Sequence, residues 1–146
     1  YAVTPGTVRP MNTEIDYFHG SDSALTEIRE TGVFGGLFAT TNEAAARSHG
    51  SILYVVRSPR PLTNYKLNYE IEGAYDVALE LCDGDESRAD AIMSAECESD
   101  DAEEGWELQR LRGKLAATLG YTSVEMRDEH GTTWLCLPGC DIEKMR

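Results

Sequence analysis

Tyr17-Phe18-His19-Gly20-Ser21, followed sixteen residues after the histidine by Gly35-Gly36-Leu37-Phe38-Ala39-Thr40 and then by Ser48-His49-Gly50, is the stretch on which the fold turns. The first piece reads as a strand that ends in histidine and glycine, the second as another strand, the third as the end of a short helix. A histidine at a strand end can offer one ring nitrogen to a ribose hydroxyl. The glycine after it lets a ligand approach bare backbone N–H and C=O groups. An aromatic residue on the next strand can stack on a flat ring. In that order the parts can build a pocket for a nicotinamide ribose.

The rest of the chain bounds what such a pocket can belong to. With 146 residues and 41% apolar content, it is long enough for one domain with an ordinary core. Residues 11–146 read as that domain. Residues 1–10 are small and polar, with two prolines and a glycine, and Met11 follows directly. They read as an added remnant or a flexible arm, although an ordinary ordered N-terminus fits the composition equally well. No apolar run approaches the ~20 residues needed to cross a bilayer, and no basic segment precedes an apolar one at the start. Cys82, Cys97, Cys136 and Cys140 form no Cys-x-x-Cys pair, and His19, His49 and His130 are scattered. That spacing suits no zinc site. The cysteines read as reduced and core-filling.

The formal net charge is −13, which argues against a protein that holds nucleic acid through phosphate contacts. Six of the nine residues in 96–104 are acidic. Two readings stand: a solvated loop, or a docking face for a basic protein surface.

Elsewhere the pattern is coarse but readable. A helix is expected from Ser21 or Ser23 to about Glu30, stopped by Gly32. Thr40 with Glu43 resembles a capping box ahead of Ala44-Ala45-Ala46. Residues 51–56 are β-branched and aromatic and read as a strand. Tyr75, Ala78 and Leu79 mark one helix, and Ala89, Ile92 and Met93 another. Trp106, Leu108, Leu111, Leu115 and Leu119 give a third with a clear apolar stripe. Two strands follow, 122–126 and 132–137, joined by Asp128-Glu129-His130-Gly131. Residues 141–145 close the chain. Strands, an inserted helical block and more strands make an α+β fold. No Gly-x-Gly-x-x-Gly follows a strand, so a dinucleotide here is not held in a Rossmann fold.

His19, Phe38 and the late acidic hairpin together resemble the ADP-ribosyltransferases. In that fold a histidine, an aromatic residue and an acid line a split, twisted β core that holds NAD. Phe38 stands where tyrosine is usual, and His49, eleven residues on, falls where a second stacking ring often sits. Longer segments extend the likeness: Gly32-Val33-Phe34-Gly35-Gly36-Leu37-Phe38, Leu67-Asn68-Tyr69-Glu70-Ile71-Glu72, residues 105–113, and Gly120-Tyr121-Thr122-Ser123-Val124-Glu125-Met126 onward through Gly139-Cys140. These are similar to phage-encoded anti-CRISPR proteins that inhibit type I-F CRISPR systems.

The resemblance implies an NAD-dependent mono-ADP-ribosyltransferase acting in the bacterial host's cytoplasm, without a metal. Its target would be an asparagine on the large subunit of the type I-F surveillance complex, and the modification would block PAM recognition. It implies a monomer that touches neither nucleic acid nor membrane directly. Asp128 would be the catalytic acid, with Glu125 and Glu129 as the other carboxylates in reach, because Thr132-Thr133-Trp134 fills the place of the usual glutamate. His19, Gly20, Gly36, Phe38 and His49 would hold the nicotinamide ribose side. Arg29, with Arg47, would be available to pyrophosphate. A rival reading needs no catalysis: an acidic chain that imitates phosphates in the basic groove of a nucleoprotein complex.

Overall fold

The computed structural model describes residues 15–30, 32–129 and 131–145. Residues 1–10 lie outside that range, as does His130. Seven strands and five helices follow one another as β1 (Ile15–Ser21), β2 (Leu37–Ala39), α1 (Glu43–Arg47), β3 (Ile52–Ser58), β4 (Pro61–Leu62), α2 (Asn64–Tyr69), α3 (Ala74–Leu81), α4 (Glu86–Met93), α5 (Ala102–Thr118), β5 (Ser123–Asp128), β6 (Gly131–Cys136) and β7 (Asp141–Lys144). The fold is α+β, with the helical block inserted between β4 and β5.

The strands divide into two sheets, β1-β3-β7 and β2-β6-β5-β4. β1 meets the second sheet where Phe18 and Thr40 exchange backbone hydrogen bonds of 2.7 and 2.9 Å. Behind that bridge the sheets are joined by a buried polar seam. The Tyr17 and Ser123 hydroxyls lie 3.3 Å apart, and Ser58 Oγ is 2.6 Å from Ser123 Oγ and 2.8 Å from Thr122 Oγ1. Tyr17 also stacks on Trp134, with ring centroids 5.1 Å apart. All four cysteines are free and buried.

The main core lies between the second sheet and the helices. On α5, Leu108, Leu111, Leu115 and Ala116 are buried, the i, i+3, i+7, i+8 stripe of a helix with one inward face. Trp106 departs from the expected stripe: it is 48% exposed.

Two local expectations fail. No helix forms over 22–30. Instead, Ser21 Oγ accepts from Ser23 N–H, Asp22 accepts from Ser51 N–H at 2.9 Å, and Leu25 N–H donates to the Tyr54 hydroxyl at 2.7 Å. Short polar side chains and a distant tyrosine thus take up the local donors and hold the segment against β3. The cap of α1 is Asn42, which accepts from Ala45 N–H, whereas Thr40 Oγ1 accepts from Asn42 N–H.

The acidic residues also sort themselves. Asp85 caps α4 and Asp101 caps α5. Glu104 makes a two-pronged pair with Arg88, both contacts 2.9 Å. Glu96, Glu98, Asp100 and Glu103 remain on the surface.

Arg112 is fully buried. Its guanidinium donates to the Glu125 carbonyl at 2.9 and 3.2 Å, to the Ile92 carbonyl at 2.7 Å and to Asn64 Oδ1 at 3.0 Å. One side chain of α5 therefore fastens β5, α4 and α2. Replacing it by methionine keeps the stem but takes its hydrogen bonds from the Ile92 and Glu125 carbonyls, whereas Asn64 Oδ1 still accepts from Asn68 Nδ2 at 3.1 Å. Each carbonyl left so is worth roughly 1–3 kcal/mol. Arg112→Met is expected to lower unfolding free energy by at least about 2 kcal/mol, read from urea denaturation of the two proteins side by side.

Candidate active site

His19, Gly20, Phe38 and His49 come together. They line one cleft of about 240 Å³, with Phe18, Ala39, Thr40, Ala46 and Thr133. The cleft lies where β1 crosses β2, and each wall has a local cause. Gly20 is a close-approach glycine: a Cβ there would sit 1.9 Å from the Ala46 carbonyl oxygen of α1. Gly50 is the reciprocal case, since its Cβ would meet the Ser21 backbone at 2.4 Å. This backbone contact brings α1, and behind it the exposed ring of His49, against the mouth of the cleft.

His19 Nδ1 lies 2.6 Å from the Phe38 carbonyl oxygen. A carbonyl only accepts, so Nδ1 carries the proton in this bond. In the neutral ring Nε2 is then an acceptor, the form that takes a hydrogen bond from a hydroxyl. The same bond ties the two residues of the opening motif to each other. Phe38 is further braced edge-on by Phe34, with centroids 5.0 Å apart.

Strand register separates the two leading acids. Phe38 pairs with Leu135, Leu135 with Val124, Met126 with Thr133 and Asp128 with Gly131. Side chains directly opposite, or two apart on a strand, share a face. Phe38, Thr133 and Asp128 therefore belong to one face of the sheet. Glu125 pairs with Trp134 and belongs to the other. Asp128 is exposed at the end of β5, and its partner Gly131 is two residues, about 7 Å along the strand, from Thr133. Asp128 thus shares the sheet face of Thr133 but is not among the residues that line the cleft. Glu125 is occupied: Oε1 accepts from Asn64 N–H at 2.9 Å, and Oε2 lies 3.5 Å from Arg127. Glu129 is exposed in the turn after β5.

Arg29 and Gly36 fall outside this cleft, in a separate hollow of about 340 Å³ that Leu37 also lines. Arg29 is exposed and pairs with Glu27 at 3.0 Å. Gly36 packs so tightly that a Cβ would lie 2.3 Å from the Cys136 carbonyl oxygen, so the seating of β2 on β6 already requires glycine there. Arg47 pairs with Glu43 at 2.7 Å. Thr133 joins the cleft lining without being among the residues expected there. Its alternation with Leu135 on β6 is the signal in the sequence that puts both on the face of Phe38.

Among the described residues, no group of three or more His, Cys, Asp or Glu is placed to hold a metal ion. No described helix is long and apolar enough to cross a membrane.

The family model described as Anti-CRISPR Type I-F ADP-ribosyltransferase AcrIF11 matches residues 15–95 and 74–145. The chain is also similar to a solved structure described as "Crystal structure of an anti-CRISPR protein". The two are 59% identical over 93% of this chain and 99% of the other, with a TM-score of 0.88. No curated protein matches.

The glycine contact gives a direct test of the cleft wall. In Gly20→Ala the added methyl meets backbone, which cannot rotate away, and overpacking of this kind costs roughly 1–3 kcal/mol. Thermal unfolding of the variant is expected to fall accordingly, and NAD binding, followed by calorimetry, to weaken as α1 is pushed off β1.

Proposed function

Because the chain belongs to the anti-CRISPR type I-F ADP-ribosyltransferase family, an NAD-dependent transferase family directed at type I-F CRISPR systems, we propose its specific reaction. It moves ADP-ribose from NAD to an asparagine on the large, PAM-reading subunit of the surveillance complex, in the cytoplasm of the bacterial host, and works as a monomer. One observation carries the reading: His19, Phe38 and Thr133 line one cleft, and strand register puts Asp128 on the same sheet face.

The donor set fits the nicotinamide ribose half of NAD. The cleft is below the size of a pocket for a whole drug-sized ligand, so the pyrophosphate and adenosine continue outside it. His19 Nε2 accepts from a ribose hydroxyl, held in that form by the Nδ1 bond to Phe38. The Gly20 backbone faces the carboxamide, Phe38 stacks on the ring, and His49 supplies a second ring at the mouth. The Thr133 hydroxyl offers a further hydrogen bond. Arg29 and Gly36 line a different hollow, and Arg29, freed from Glu27, is a cation available to the pyrophosphate.

The bond to be broken joins ribose C1 to a nicotinamide nitrogen that is already cationic. The leaving group departs neutral and needs no proton, so no general acid is required. The costly feature is positive charge developing on the ribose, as in glycoside hydrolysis. The Asp128 carboxylate, on the same sheet face, offsets that charge. An asparagine amide is a weak nucleophile, and the same carboxylate orients it and accepts its proton as the new bond forms. Glu125, turned to the other face, holds α2 rather than substrate.

Purified type I-F complex, labelled NAD and the chain together test this, with peptide mass spectrometry to find the modified residue. Asp128→Ala is expected to lose about 10²–10³ in transfer rate while stability shifts by no more than roughly 0.5–1 kcal/mol. Glu125→Gln, which keeps an acceptor for Asn64, is expected to transfer normally. The reverse pattern would move the catalytic role to Glu125. Inhibition that needs no NAD would replace transfer with phosphate mimicry.

Thr133→Val keeps shape and removes the hydroxyl. Its KM for NAD is expected to rise about 3–10-fold, the worth of one neutral hydrogen bond, and Thr133→Ser to recover most of it.

A further inference from the structure

We infer that Tyr65 and Tyr69 on α2, together with the loop at residues 94–98, form the surface that seats the acceptor protein, and that the segment seated there is basic. This rests on the transfer reading above and adds to it where the acceptor lies.

The two tyrosines are one helical turn apart, 63% and 76% exposed, with ring centroids 5.0 Å from each other. The inward side of α2 is supplied by Leu67, which is buried. The fold does not need the rings outside, and paired exposed aromatics are the residue type that anchors protein interfaces. A hollow of about 410 Å³ adjoins Tyr69, bounded by Tyr75 and Asp90.

Position connects this patch to the chemistry. Three segments dock in order along the open edge of β5. β4 pairs at Val124, the first residue of α2 bonds Glu125, and the Ala95 carbonyl accepts from Arg127 N–H at 2.8 Å. Asp128 is next in the chain. Asn68 Nδ2 donates to the Met93 carbonyl at 2.9 Å, which ties the tyrosine helix to the same loop. The aromatic pair thus stands on a helix anchored to the strand that ends in Asp128.

Charge selects the occupant. Glu96 and Glu98 are exposed on either side of buried Cys97. The cations on this edge, Lys66 and Arg127, each stand beside a carboxylate at 3.7 and 3.5 Å. Machinery that binds DNA holds phosphates with lysine and arginine, and tyrosine faces flanked by carboxylates suit such cations. A second copy of this chain, at net charge −13, would meet repulsion. Within the wider acidic stretch, Asp101 and Glu104 are engaged by a cap and by Arg88. Of the four acids left on the surface, Glu96 and Glu98 are those nearest in the chain to Ala95, whose carbonyl is bonded to β5.

Tyr65→Ala/Tyr69→Ala changes only surface side chains. With purified type I-F complex as acceptor, its KM for the complex is expected to rise about tenfold, the effect of one anchor residue. Turnover at saturating complex and KM for NAD are expected to stay within twofold. Glu96→Lys/Glu98→Lys should raise the acceptor KM as well, more at low salt than at high. An acceptor KM within twofold of wild type for the tyrosine variant overturns the inference. So does a parallel loss of NAD binding, which would assign the pair to the cleft. If the wild-type chain transfers nothing, the transfer reading fails separately, and direct binding to the complex without NAD decides this one: weaker binding by the double variant supports it, and equal binding overturns it.

Discussion

A guanidinium buried among carbonyls holds this molecule in its working shape. Burial pushes Arg112 down to about 10, while nearby Cys97 and Glu125 act the other way, so the group stays charged at neutral pH. It has no carboxylate in direct contact among its hydrogen bonds. It is satisfied by two main-chain carbonyls and an asparagine side chain drawn from three different elements. Apolar packing sets α5 on the sheet, but apolar packing is non-directional. The directional bonds from Arg112 determine where the edge of β5 lies, and Asp128 is three residues beyond the carbonyl that Arg112 grips.

What could be read from residues alone follows the range of the forces involved. The β5–β6 hairpin and α5 were readable because their cause is local: an alternating run with an acidic turn, and an apolar stripe at helical spacing. Over 22–30 the serines offer helix caps and Gly32 a stop, but the Tyr54 hydroxyl that captures Leu25 comes from 29 residues away. α2 was missed for a related reason. It is six residues long and too short to show a period, and its tyrosines face out. At the candidate site, the order of His19 and Phe38 in the chain suggests that they share a cleft, and they do. The bond between them joins two elements in space, and the register that separates Asp128 from Glu125 exists only once β6 is laid beside β5.

The negative charge of the chain divides by role. Some acids build structure, capping α4 and α5 or gripping Arg88. Others lie on the surface beside the open edge of β5. Counting them together would suggest one undifferentiated mimic of phosphate. Separated, the structural acids explain how so charged a helical block folds, since each offsets unsatisfied helix-end donors or a cation.

The contact between Gly20 and Ala46, with its reciprocal at Gly50, is made by main chain on main chain. Most clefts adjust their width by turning side chains into other rotamers. This wall has none to turn, so its spacing is set by peptide dimensions and by the register of α1 on β1. The wall therefore needs no ordering when a ligand arrives. It also makes steric selectivity abrupt: a ligand enlarged toward α1 must displace a whole helix.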